Sequence, residues 1–153
     1  MPISSVIQNS AKADLLRAGS NFNTAGGTPA GHAFKIALYT NSTTIDTTTT
    51  AYGGPSNEVS GAGYSSGGNA LTNTGVGTTT VTSFTDFSDT SWTSASFTAR
   101  GCLIYNTTAI TGLTANRAVC SIDFGGDKTV SSGTFTIQFP TNDSSSAILR
   151  ITS

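Results

Sequence analysis

Phe97-Thr98-Ala99-Arg100-Gly101-Cys102-Leu103-Ile104-Tyr105 and, a short step later, Ala118-Val119-Cys120-Ser121-Ile122-Asp123-Phe124 decide the fold. In the first run Phe97, Ala99, Gly101, Leu103 and Tyr105 fall on one face of an extended chain. Thr98, Arg100, Cys102 and Ile104 fall on the other. In the second run Ala118, Cys120, Ile122 and Phe124 alternate with Val119, Ser121 and Asp123. A period of two is the mark of a β-strand, whose successive side chains point to opposite sides.

The same period spreads outward. Phe34, Ile36 and Leu38 alternate with Lys35, Ala37 and Tyr39, which reads as a half-buried strand. Phe135, Ile137 and Phe139 alternate with Thr134, Thr136 and Gln138. Ala147–Ile151 closes the chain as a further strand. Ala70–Val76 and Thr79–Phe87 are strand candidates, with Gly75 and Gly77 placed for a tight reversal. Asp89–Ser91 reads as a turn before Trp92, and Gly125-Gly126 as a turn after Phe124. Short strands separated by turn signals, without long helices between them, predict an all-β fold: an antiparallel β-sandwich or jelly roll.

One helix is expected, over residues 3–18. Ile3, Ile7, Ala11 and Leu15 recur every four residues, and Ser5 and Gln8 have capping-box spacing. Gly19 supplies a left-handed stop. The helix either covers an open end of the core or docks on a partner. Residues 19–33 read as loop, 41–50 as an exposed strand edge or a mobile loop, and 51–70 as a short strand with a long ordered loop. No internal repeat and no linker divides the chain, so residues 1–153 form a single domain.

Composition agrees. Charged residues make up only 10% of the 153 positions, against about 25% in an average globular chain. Serine and threonine, about a third of all residues, take their place. Threonine favours strands and glycine and serine favour turns. The seven basic and eight acidic residues are scattered singly. That pattern gives no electrostatic footprint for nucleic acid and none for a membrane surface. Met1–Ser5 lacks the pattern of a secretory signal, so synthesis in the cytoplasm is expected.

Candidate chemistry is sparse. Cys102 and Cys120 match no zinc spacing, and His32, the single histidine, cannot complete one. A hairpin folded about Thr111 would place the two cysteines opposite each other; free thiols are expected all the same, as small core residues. His32 has no nucleophile signature near it. Asp86 with Asp89, or Asp123 with Asp127, lack the oxygen density that calcium requires, and a glycosidase pair would need burial and separation. Asp123-Phe124-Gly125 matches a kinase tripeptide by chance. These readings give a non-enzyme without cofactor, metal or catalytic residues. Trp92 and Tyr105 are assigned to the core. Ile3 and Ile7 on the helix, and Tyr52 and Tyr64 among glycines, are the candidate interface residues.

Several runs, taken together and in order, carry a resemblance. They are Ile36-Ala37-Leu38-Tyr39-Thr40, Asn57-Glu58-Val59-Ser60-Gly61-Ala62-Gly63-Tyr64, Thr98 through Asn106, Asn116-Arg117-Ala118-Val119, Asp123-Phe124-Gly125 and Phe135 through Pro140. Over residues 3–152 the chain resembles a family of small tailed-phage virion structural proteins. The resemblance implies a capsid decoration (cement) protein on the outer surface of the virion head. Its partners would be the major capsid protein and itself, as a homo-oligomer, a dimer or trimer. It implies no catalytic residue. The competing expectation is a tail or fibre module that binds a host surface glycan through exposed tyrosines.

Overall fold

The computed structural model describes residues 2–153. Met1, the first residue of the domain expected over 1–153, lies outside them. In chain order the elements are β1 (Val6–Ile7), α1 (Asn9–Leu16), β2 (Phe34–Tyr39), β3 (Asn69–Leu71), β4 (Asn73–Thr78), β5 (Thr82–Phe87), β6 (Thr90–Asn106), β7 (Arg117–Ile137) and β8 (Leu149–Thr152). A five-stranded sheet runs β1-β7-β6-β2-β3, and a three-stranded sheet runs β4-β5-β8. Every strand pair in both is antiparallel. The two sheets pack into a β-sandwich with one short helix, as the alternation predicts.

The two deciding runs are the inner part of one long hairpin. Pairing continues from Asn106↔Arg117 out to Thr90↔Ile137. Gly125-Gly126 does not turn the chain, and Phe135 does not begin a new strand. Between the pairs Gly101↔Asp123 and Ala99↔Lys128, residues Phe124–Asp127 oppose Arg100 alone. The surplus is absorbed as a bulge. Asp123 closes it: Oδ1 accepts the Gly125 N–H at 2.9 Å and the Arg100 Nε–H at 2.7 Å. Likewise Thr90 and Ser91, expected in a turn, already belong to β6. Gly75 and Gly77 lie within β4, and the reversal falls after Thr78, where Thr79 N–H donates to Thr82 O at 2.8 Å.

The cysteines are not directly opposed. Cys102 pairs with Ile122 and Cys120 with Ile104, because the hairpin folds about one residue later than expected. Both are free and buried. Burial is the first cause that raises both thiols, Cys120 to about 12.

The helix is shorter than its sequence pattern. Ile3 forms a parallel bridge with Ile45, and Val6–Ile7 pairs with Ser121 and Cys120 as an edge strand. No capping box forms. Ser5 Oγ accepts the Asp123 N–H, and Gln8 Nε2 donates to Ser121 Oγ. The side chains that would have capped a helix bind β7 instead, which holds residues 3–7 extended. The left-handed residue at the far end is Ala18 (φ 56°), not Gly19.

The central strands are buried on both sides. Toward the small sheet, Phe34, Ile36, Leu38, Cys102, Ile104, Val119 and Cys120 pack with Phe87 and Leu149. On the opposite face Ile3, Ala37, Tyr39, Ile45, Leu103, Tyr105 and Ala118 form a second cluster. So β2 is not half-buried. Residues 40–68 fold back over it, and Thr43 and Ile45, expected on an edge or in a mobile loop, are buried there. Trp92 and Tyr105 lie in the core, 3% and 2% exposed.

Two glycines set how closely that covering layer approaches. At Gly63 (φ +77°) a Cβ would sit 2.6 Å from Thr93 O, and at Gly68 (φ +66°) 1.8 Å from Ile36 O. Both the left-handed backbone and the near-contact of two main chains require glycine. Gly68→Ala is therefore expected to destabilise the fold by about 2–4 kcal/mol, read from denaturant unfolding. Gly53→Ala, where a Cβ meets nothing within 4 Å, is the control and should shift stability by under about 0.5 kcal/mol.

Candidate functional site

Glu58 organises the covering layer. Its strand neighbour Tyr39 and the Val59 N–H···O Leu38 bond seat it beside the end of β2. Oε1 accepts from Tyr64 Oη at 2.7 Å and from Gly67 N at 2.7 Å; Oε2 accepts from Tyr52 Oη at 2.7 Å and Ser66 Oγ at 3.0 Å. Tyr64 Oη also accepts the Leu38 N–H at 2.9 Å. The Tyr52 ring stacks on Tyr105 with centroids 4.6 Å apart, and Tyr105 Oη donates to Gly67 O at 2.7 Å. Burial is the first cause that raises the phenol pKa at Tyr39, Tyr52, Tyr64 and Tyr105, the last to about 12. These hydroxyls stay protonated and act as donors throughout the neutral range.

The candidate interface residues are therefore in varied places. Tyr52 and Tyr64 come together, but around Glu58, with their rings packed on this chain. Ile3 is 3% exposed and belongs to the second core cluster. Ile7 is partly buried in β1 and lines a surface groove. The residue that sequence reading missed is Glu58; its signal was one carboxylate six positions from a tyrosine on either side, amid glycines.

A second polar cluster ties the α1 end to the hairpin loop. Arg117, 2% exposed, donates from Nη2 to Gly19 O at 2.7 Å and from Nη1 to Thr108 O at 3.2 Å and Thr114 O at 3.3 Å. Its Nε lies 3.4 Å from Asp14 Oδ2, an ion pair whose geometry is too skewed for a hydrogen bond. Asn106, fully buried, contacts His32 Nδ1 at 3.0 Å, and the Asn21 N–H donates to the same nitrogen at 3.3 Å. That main-chain donor fixes Nδ1 as an unprotonated acceptor, so His32 is neutral with its proton on Nε2. Its pKa is lowered, first by burial and then by the Arg117 cation.

A groove of about 620 Å³ lies between α1 and the small sheet. Ala11 and Leu15 of α1, Val76, Phe84 and Ile151 of the small sheet, and Val119 line it; no carboxylate does. Among the described residues no group of three or more His, Cys, Asp or Glu side chains is placed to hold a metal. Of the aspartates considered for calcium, Asp86, Asp89 and Asp123 accept main-chain N–H groups and Asp127 accepts a side-chain amide. Asp86, 1% exposed, accepts from Phe87 N at 2.8 Å and Ile148 N at 3.1 Å, and Asp89 accepts from Phe139 N at 2.8 Å. Asp127 Oδ2 accepts from the side-chain Nδ2 of Asn41 at 3.1 Å. No helix is long and apolar enough to cross a membrane among the described residues.

No family model, curated protein or solved structure matches the chain.

Two outcomes test these clusters. Glu58→Gln replaces a four-fold acceptor by a group with one acceptor and one NH₂, and should cost about 1–3 kcal/mol in denaturant unfolding. For His32 the folded pKa lies below that of the unfolded chain, so the unfolded chain binds the proton more readily. Its contribution is complete above the ordinary histidine pKa and is lost as pH falls toward the folded one. Asp86 acts with the opposite sign, because burial raises its carboxyl and protonation then favours the folded state. Melting temperature from pH 7.5 to 5 should fall more in the natural chain than in His32→Asn, since Asp86 is common to both; equal slopes would refute the His32 assignment.

Proposed function

We propose that the chain is a phage virion structural protein, a capsid decoration subunit that binds and stabilises the outer head shell without a reacting group. The observation that carries this reading is the ordered set of motifs from Ile36 to Pro140, which resembles small tailed-phage virion proteins. The surface offers a compatible chemistry. The outer half of the β6–β7 ribbon presents hydroxyl pairs, Thr98 with Thr129 and Ser91 with Thr136, each at 2.8 Å. A net charge of −1 spread over few ionisable groups produces little repulsion between crowded copies. Many weak contacts, repeated over a lattice, then sum to firm attachment.

The major capsid protein is the proposed partner, with the virion surface as the location. A glycan-binding tail or fibre module has less support. The rings of Tyr52 and Tyr64 stack on Tyr105 and against Trp92, and their hydroxyls are engaged by Glu58, so the free aromatic platform that such a module needs is missing at those two positions.

The test is addition of purified protein to expanded heads that lack it. Saturable binding, with a rise in the temperature at which the heads lose their contents, is the expected result. Absence of saturable binding would reject the assignment.

A further inference from the structure

We infer that β8 is a self-pairing edge, through which two copies of this chain join across a two-fold axis into one continuous six-stranded sheet. β8 ends the order β4-β5-β8, and among the described residues its outer side has no strand partner. Its register with β5 runs Thr82↔Thr152, Ser83↔Ile151, Phe84↔Arg150 and Thr85↔Leu149, and the Ser153 N–H donates to Val81 O at 3.2 Å. In an antiparallel ladder, residues alternate between bonding toward one neighbour and toward the other. Ser153, Ile151 and Leu149 therefore bond toward β5. Arg150 and Thr152 direct their N–H and C=O groups outward.

Those two residues form a self-complementary set. An antiparallel copy centred on Ile151 places Arg150 opposite Thr152 of the second copy, and Thr152 opposite its Arg150. Each pair exchanges two main-chain hydrogen bonds, and Ile151 meets Ile151 as the narrow, non-bonded pair between them. The charges allow it. Arg150 is the one charged residue of β8, and this register sets it against a threonine, not against its own counterpart. Like charges directly opposed would disfavour the pairing.

The apolar surface points to the same place. Among the described residues five large aliphatic side chains are exposed: Leu15, Leu16, Val76, Val81 and Ile151. Leu15, Val76 and Ile151 line the groove beside β8. Leu16 follows Leu15 at the end of α1, and Val81 is joined to Ser153 next to β8. An exposed edge strand flanked by apolar side chains is an aggregation hazard unless it is covered, and two-fold closure covers it without leaving a new edge. The inference locates the contact for the homo-oligomer expected above; it does not depend on a capsid.

Light scattering on the size-fractionated full chain should give twice the subunit mass. Thr152→Pro removes the outward N–H together with the Thr82 Oγ1–Thr152 Oγ1 hydrogen bond of 3.1 Å, which Thr152→Val removes alone as the control. Proline is tolerated on an edge strand in that orientation. Thr152→Pro should halve the mass while circular dichroism and the melting curve stay near those of the natural chain. The register has its own readout. Opposed Cα atoms in a narrow pair lie about 4.5 Å apart, within disulfide reach. Ile151→Cys should therefore cross-link into a dimer under mild thiol oxidation, and Arg150→Cys should not, while buried Cys102 and Cys120 stay unreactive. If Thr152→Pro fails to fold, the cysteine pair decides. A monomer at every concentration, a trimer, or equal cross-linking of the two cysteine variants would overturn the inference. A monomer that still saturates heads would sink this contact alone; a dimer that binds no head would sink the decoration reading alone.

Discussion

The inner half of the β6–β7 hairpin is the constraint on which the other layers depend. From Cys102 to Asn106 every residue is buried, and so is every residue from Arg117 to Ser121. Such strands have no solvent face. A slip of one residue would move the whole set to the wrong core. Cys102, Ile104, Val119 and Cys120 belong to the sandwich, while Leu103, Tyr105 and Ala118 belong to the layer behind it. The pairing Cys102↔Ile122 and Ile104↔Cys120 thus places both cores at once. Arg117 and Asn106 at its closed end tie in the α1 region, and Ser121 binds Gln8 and the main chain of Ser4.

Two-sided burial also explains the uneven legibility of the sequence. Alternation identified the strands around residues 34–39, 97–105 and 118–124 but not their faces. Phe97 and Ala99 share the sandwich core with Cys102 and Ile104 while Leu103 and Tyr105 lie behind it, and Ala118 lies on the other side from Cys120. The cause is that the ladder shifts between Ala99 and Gly101 and between Ile104 and Tyr105. Nor did alternation show that both faces are covered, because Lys35 and Tyr39 look amphipathic and the covering loop is made of Thr, Gly and Ser. The bulge at Phe124–Asp127 escapes the alternation pattern for a related reason. A Gly-Gly pair after an apolar run has the composition of a turn, and only long-range pairing with Ala99 and Gly101 shows that the strand continues. The helical period at Ile3 and Ile7 was overridden by tertiary bonds from Ser5, Gln8 and Ser121.

The polar clusters were legible only in fragments. Tyr52 and Tyr64 stood out as large rings among glycines, but Glu58 did not, since one carboxylate in a loop carries no spacing signal. His32 and Arg117 are 85 positions apart, and nothing local links them. Their meeting is a product of the fold. The same is true of the outward groups on β8: which residues of an edge strand turn away from the sheet is a question of ladder phase, and residue type says nothing about it.

The scarcity of ionised groups has a further consequence. Only two ion pairs occur among the described residues, and the Asp14–Arg117 pair is sealed from solvent. The remaining cohesion comes from apolar contact, from neutral hydrogen bonds, and from bonds that sheltered charges such as Glu58 and Arg117 make to neutral groups, all of which a Debye atmosphere screens less than exposed ion pairs. The fold would therefore keep nearly the same stability in dilute buffer and in brine. Strongly excluded salts such as sulfate would tighten it further, through their effect on buried apolar area.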